Sequence, residues 1–180
     1  MGKRKVSIFS VLVLIVGLSG LGVGVYSLYN YQQLVSQVDT PKPLVRAFLN
    51  TSYSILDTVW VKIDFGELDY DVSNDFNIIT DQFICPTSGY YLISGMVTFE
   101  NMLDGEIIRV GVFSEGVFKA ESIAHASTTD DLSAGFTDIV FLNAGDYVEF
   151  GAYHNGAGLR SIYGNSEGSY TYVTIAAVDN

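Results

Sequence analysis

From residue 47 onward the chain is built of apolar or alternating runs of four to ten residues, separated by Gly, Asn, Asp and Ser. No stretch of it keeps a helical hydrophobic period over three turns, so the runs read as strands and the spacers as turns. The clearest runs are 59–65, 90–99, 107–113, 136–142, 147–153 and 170–178. In the first, Val59, Val61, Ile63 and Phe65 alternate with Lys62 and Asp64, the pattern of a half-buried strand. The last, from Tyr170 to Val178, is rich in β-branched and aromatic residues, which favour a pleated surface. About 130 residues of this kind predict an all-β sandwich, either a jelly roll or an immunoglobulin-like fold. With Cys85 as the single cysteine, no intradomain disulfide can form, and that favours the jelly roll.

A different signal precedes the sandwich. Residues 6–29 carry no charge, and 24 residues at about 1.5 Å each exceed the roughly 30 Å of a bilayer core. Lys3, Arg4 and Lys5 stand immediately before this stretch, and Tyr26, Tyr29 and Tyr31 close it. The reading is a cytoplasmic basic tail (1–5), a transmembrane signal anchor (6–29), a polar stalk stiffened by Pro41 and Pro43 (30–46), and an exported domain (47–180). A cleaved secretory signal is the competing reading, but its apolar core is normally shorter, and both readings export the domain. Localisation at the cell membrane follows, single-pass, with the C-terminal domain outside. Gly20 and Gly24 form a G-x-x-x-G pair that would let a second helix approach closely.

Charge then narrows the function. The chain carries 9 Lys and Arg against 20 Asp and Glu, a net −11. Setting aside the three N-terminal cations leaves the remainder at −14, with six cations scattered along it. Such a segment has no electrostatic footprint for phosphate backbones, which excludes a nucleic-acid partner and favours a cationic or calcium-bridged one. Twelve Tyr and eleven Phe supply the apolar surface that a disordered chain lacks.

The motifs with possible chemistry are few. Gly164-Asn165-Ser166-Glu167-Gly168 spells a nucleophile elbow, but a strand rather than a helix is expected after it, so it reads as a loop. His125 reads as a loop residue, and His154-Asn155-Gly156 as a hairpin turn. The two are the only histidines, and with one cysteine they give no zinc ligand set. Asp69, Asp71, Ser73 and Asp75 open like a calcium loop, although Asn74 and Thr80 stand where an EF-hand needs Gly and Glu. They are the chain's candidate for calcium, with Asp130-Asp131 a weaker one; no other cofactor is expected. Asn50-Thr51-Ser52 is a glycosylation sequon on the exported side. Cys85, beside Phe83 and Ile84, reads as a buried thiol. Nothing supports enzymatic activity.

The stretch from Phe76 to Ser94 resembles the signature of the complement C1q-like globular domain, aromatic-Asp-x-x-Thr-Gly-x-Phe-x-Cys-Pro-x-x-Gly-x-Tyr-x-Phe-Ser. Thr80, Phe83, Cys85, Pro86, Gly89, Tyr91 and Ser94 match; Asp81 and Ile93 depart from its Gly and Phe. Leu142-Asn143-Ala144-Gly145-Asp146-Tyr147-Val148 is similar to the family's Leu-x-x-Gly-Asp-x-Val turn. Tyr170 to Ile175 is similar to its closing strand, with Thr174 in place of a Gly, and Ala47-Phe48 to its opening. The resemblance implies a ten-stranded jelly roll, related to the tumour necrosis factor superfamily, that assembles as a homotrimer and works by binding. That superfamily also carries an N-terminal anchor, although this chain has no collagen stem. The expectation is a membrane-anchored extracellular binding or adhesion module; the alternative is a structural surface or envelope component without a recognition role.

Overall fold

The computed structural model describes residues 42–178. The tail, the anchor and the stalk up to residue 41 lie outside the described residues. Among those described, no helix is long and apolar enough to cross a membrane. Thirteen strands form two antiparallel sheets, and no helix appears among the described residues.

In the first sheet the axis is β7 (Gly89–Met102), fourteen residues long. Along one side it pairs with β10 (Asp130–Leu142), from Gly89 opposite Leu142 to Met102 opposite Asp130. Its other side takes β13 (Tyr172–Ala177) and then, at Phe99, β12 (Arg160–Ile162). Beyond β13 lie β1 (Leu44–Phe48) and β4 (Glu67–Asp71); beyond β12 lies β2 (Tyr53–Ile55). The second sheet is built on β11 (Tyr147–His154) and β8 (Ile107–Ser114), with β9 (Val117–His125) outermost. The far side of β11 meets β3 (Val61–Lys62) and β6 (Gln82–Ile84), and β6 carries β5 (Phe76–Asn77).

Alternation explains the core. In β7, Tyr91, Ile93, Val97 and Phe99 point inward and are buried, as are Val173 and Ile175 of β13 and Val45 and Ala47 of β1. The second sheet contributes Ile108, Val110 and Val112 of β8 and Val148, Phe150 and Ala152 of β11. Rings tie the layers together: Phe150 meets Phe65 edge-on at 5.8 Å and stacks on Phe136 at 6.0 Å. Each of these large side chains contributes about 1.5–3 kcal/mol when fully removed from water.

Several expectations change. The sandwich has thirteen strands rather than ten because short pieces such as β5 and β12 stand as separate strands. Leu44–Arg46, expected in the stalk, already belong to β1, where Arg46 pairs with Thr174. Of the expected strand 59–65 only Val61–Lys62 forms a ladder: Thr58 turns with φ 59°, leaving Val59 exposed, while Ile63 and Phe65 are buried as the alternation requires. The last strand starts at Tyr172 because Thr98 takes over the previous pairing. Its hydroxyl donates to the Tyr170 carbonyl, and its amide donates to the Thr171 hydroxyl. The segment His154-Asn155-Gly156 is not a hairpin: β11 and β12 lie in different sheets, and Asn155 instead caps β8 by accepting the Ile107 amide at 2.7 Å.

Candidate interaction face

The outward side of the first sheet is unusual in what it exposes. Register aligns Phe141 with Tyr90, then Ile139 with Leu92, Ala176 and Leu44 in the next row. Tyr90 and Phe141 meet edge-on at 5.3 Å, and Ile139 is 56 % exposed. The row below is Thr137, Ser94, Thr174 and Arg46; the next is Gly135, Met96, Tyr172 and Phe48. Arg46 is the one charged side chain that β10, β7, β13 and β1 place in these rows, and its charge is spent locally. It donates to Asp69 at 3.1 Å and to the Gly168 carbonyl at 2.6 Å, and its guanidinium lies 4.7 Å from the Tyr172 ring centre. The result is a broad apolar and neutral surface, of the kind that marks an interaction site on a soluble domain. At its far end Tyr163 and Tyr170 stack with ring centres 4.0 Å apart.

The second sheet's outward side carries an aromatic cluster instead. Gly111 and Gly151 face each other across β8 and β11, and Trp60 lies over them, ringed by Phe113, Phe118 and Tyr153 at 5.6–5.8 Å. A Cβ on Gly151 would stand 2.8 Å from Phe113 Cε2 and 3.2 Å from Trp60 Cε3. The glycines are the floor that lets the rings settle onto the sheet.

The residues singled out from the sequence are scattered. Ser166 is exposed on the loop between β12 and β13, and β13 rather than a helix follows it. His154 is fully buried, its Nε2 3.2 Å from the Ile55 carbonyl and its Nδ1 without a partner. His125 is exposed at the end of β9 rather than in a loop. The carboxylates of the Asp69 to Asp75 loop are engaged: Asp69 by Arg46, Asp71 by the Asp75 and Phe76 amides, Asp75 by the Ser73 hydroxyl. Among the described residues no cluster of three or more His, Cys, Asp or Glu is placed to hold a metal ion. Asp130 and Asp131 cap backbone amides, those of Asp131 and Asn101. Asn50 is half-buried, with Nδ2 donating to Glu67 at 3.4 Å. Cys85 is buried, and burial pushes its thiol pKa up, away from thiolate chemistry.

Two polar groups that sequence reasoning missed hold the loops. Glu106 accepts from Arg160 through both carboxylate oxygens, at 2.6 and 3.0 Å; Arg160 holds its pKa below the usual carboxylate value. Asp81 is buried with φ 47°, its Oδ1 accepting the Phe65 amide at 2.9 Å, and burial pushes its pKa up. That left-handed backbone explains why Asp is found where the resembled pattern has Gly: both tolerate it.

No family model and no curated protein matches the chain. Among solved structures, the globular domain of zebrafish complement 1qA superposes with a TM-score of 0.56 at 17% identity, covering 78% of this chain and 99% of that one. Eiger TNF from S. frugiperda gives 0.57 at 11%, covering 78% and 95%, and murine APRIL 0.57 at 13%, covering 77% and 100%. The fold is therefore the jelly roll of the C1q and tumour necrosis factor type.

Proposed function

We propose that the chain is a membrane-anchored extracellular binding or adhesion module that works as a homotrimer. The observation that carries this reading is the apolar outward face of the first sheet, where Tyr90, Leu92, Ile139, Phe141 and Leu44 stand together without a free charge. Further copies of the same chain are its occupants, because apolar faces gathered about an axis bury one another and need no outside chemistry, and the resemblance to C1q-like domains supports three copies. Ligands then meet the loops and lateral surfaces, with multivalency raising avidity. The acidic remainder favours cationic ligands, since Arg46, Lys62, Arg109 and Arg160 are each paired with a carboxylate. It acts by binding rather than catalysis.

Sedimentation of the full-length chain in detergent tests the assembly. Three copies per particle are expected at micromolar concentration, and Ile139→Lys with Leu92→Lys should give a folded single copy, because each buried lysine costs several kcal/mol. A wild-type chain that sediments as one copy overturns the proposal.

A further inference from the structure

Tyr163 and Tyr170 make the one tyrosine–tyrosine ring contact among the described residues, and its geometry is specific. The rings are parallel to within 8° with centres 4.0 Å apart, closer than the other aromatic contacts described. Their backbones are held by one residue of the neighbouring strand. The Tyr163 amide donates to the Thr98 carbonyl at 2.8 Å, and the Thr98 hydroxyl donates to the Tyr170 carbonyl at 2.9 Å. Ser133 braces that hydroxyl at 2.8 Å. The intervening turn is fixed as well: Asn165 accepts the Ser169 amide through its side chain and the Gly168 amide through its carbonyl, and Gly168 supplies φ 61°. The two phenols are thus held face to face by ordered backbone at both ends. They are also open to reagents, since Tyr170 is 37 % exposed and Tyr163 only half-buried.

We propose that Tyr163 and Tyr170 are a modification site, an oxidative cross-linking pair that a one-electron oxidant converts to an intrachain dityrosine. Each phenol gives up one electron and its hydroxyl proton. The two phenoxyl radicals join through the ring carbons ortho to oxygen, forming one C–C bond. Both rings then regain aromaticity as each new sp3 carbon loses its hydrogen and each oxygen recovers a proton. The pair loses two hydrogens in all, and a haem peroxidase with hydrogen peroxide is the class of oxidant that takes them, reducing the peroxide to two waters. The product staples the loop between β12 and β13 and ties the two strands together covalently. Tyr163's pKa is raised, chiefly by its Tyr170 neighbour, so it enters the reaction as a neutral phenol.

No other tyrosine among the described residues has this geometry. Tyr90 faces Phe141, Tyr153 faces Trp60, Tyr91 is buried against Phe83, and Tyr172 lies under Arg46. A tethered pair sees its partner at millimolar concentration or above, about a thousandfold over a second molecule at micromolar protein.

The test is treatment of the dilute full-length chain with horseradish peroxidase and hydrogen peroxide, followed by tryptic digestion. No Lys or Arg follows Arg160, so residues 161–180 leave as one peptide that contains Tyr163, Tyr170 and Tyr172. The expected result is that this peptide loses two hydrogens and gains blue biphenol fluorescence, with fragmentation placing the bond between Tyr163 and Tyr170. Tyr163→Phe and Tyr170→Phe each abolish the product while keeping the ring stack and the thermal midpoint, and Tyr172→Phe leaves it intact. Predominantly intermolecular cross-links, or an unchanged yield in Tyr163→Phe, overturns the proposal.

Discussion

Replacing Gly151 by Ala places a methyl group where the floor of the Trp60 cluster admits none. The new Cβ stands 2.8 Å from Phe113 Cε2 and 3.2 Å from Trp60 Cε3, so one of the two rings must give way. Phe113 is wedged edge-on against Phe118 at 4.9 Å, whereas Trp60 sits on a short connection with one face toward solvent, so the indole is the part that yields. Overpacking of this kind costs about 1–3 kcal/mol, and relief of glycine's backbone entropy in a strand returns about 0.5–1 kcal/mol. The net destabilisation is up to about 2.5 kcal/mol, a fall in midpoint of up to roughly 9 °C for a domain of this size. Trp60 is the chain's only tryptophan, so its emission reports this site alone and should shift to the red as the indole becomes wetter. Gly89→Ala is the control: nothing lies within 4 Å of a Cβ there and its φ is ordinary, so the midpoint should hold or rise slightly. A Gly151→Ala chain with unchanged emission and a raised midpoint would refute the account of the glycine floor.

Two further outcomes concern partly or fully buried acids. Glu106→Gln removes the charge from the Arg160 pair and should cost up to about 3 kcal/mol, measured by denaturant titration. Because the folded pKa of Glu106 lies below its ordinary 4.5, the pair's contribution is complete above that value and fades as pH falls through the folded pKa. The acid-side loss of stability should therefore shrink in the variant. Asp81 has the opposite sign: its folded pKa is raised, so the ionised form is disfavoured and stability falls as pH rises through the folded pKa. Asp81→Asn keeps the acceptor for the Phe65 amide and tolerates the left-handed backbone, so melts at neutral pH should match or exceed the parent. Asp81→Ala, which leaves the Phe65 amide unmet, should lose about 1–3 kcal/mol.

The long strands were legible because their alternation is strong. Ile107 to Phe113 and Tyr147 to Tyr153 place their buried residues as the period of two requires, and both glycines at their centres face outward under Trp60. The strand β9 is not legible, since Val117 to His125 mixes Lys119 and Glu121 with small residues, and the side chains it turns to the core, Ala120 and Ala124, are too small to mark a face. Alternation assigns residues to faces but not faces to partners. The apolar outward side emerged only when register set Phe141 beside Tyr90 and Ile139 beside Leu92. A hint was present in Ile139-Val140-Phe141-Leu142, a run apolar on both faces, as in strands covered on both sides. The Glu106–Arg160 pair spans 54 residues and left no trace in local sequence.

The first and last strands of the sandwich lie side by side, with Leu44 opposite Ala176 and the Ala177 amide donating to the Pro43 carbonyl at 3.1 Å. Neighbouring strands run about 5 Å apart, so a linker of a few residues closes the domain into a continuous ring. New ends can then be opened at an exposed hairpin tip such as Glu115-Gly116 without breaking a core strand. The domain is in this sense a topological circle cut at one point, with both cut ends at the same pole of the sandwich.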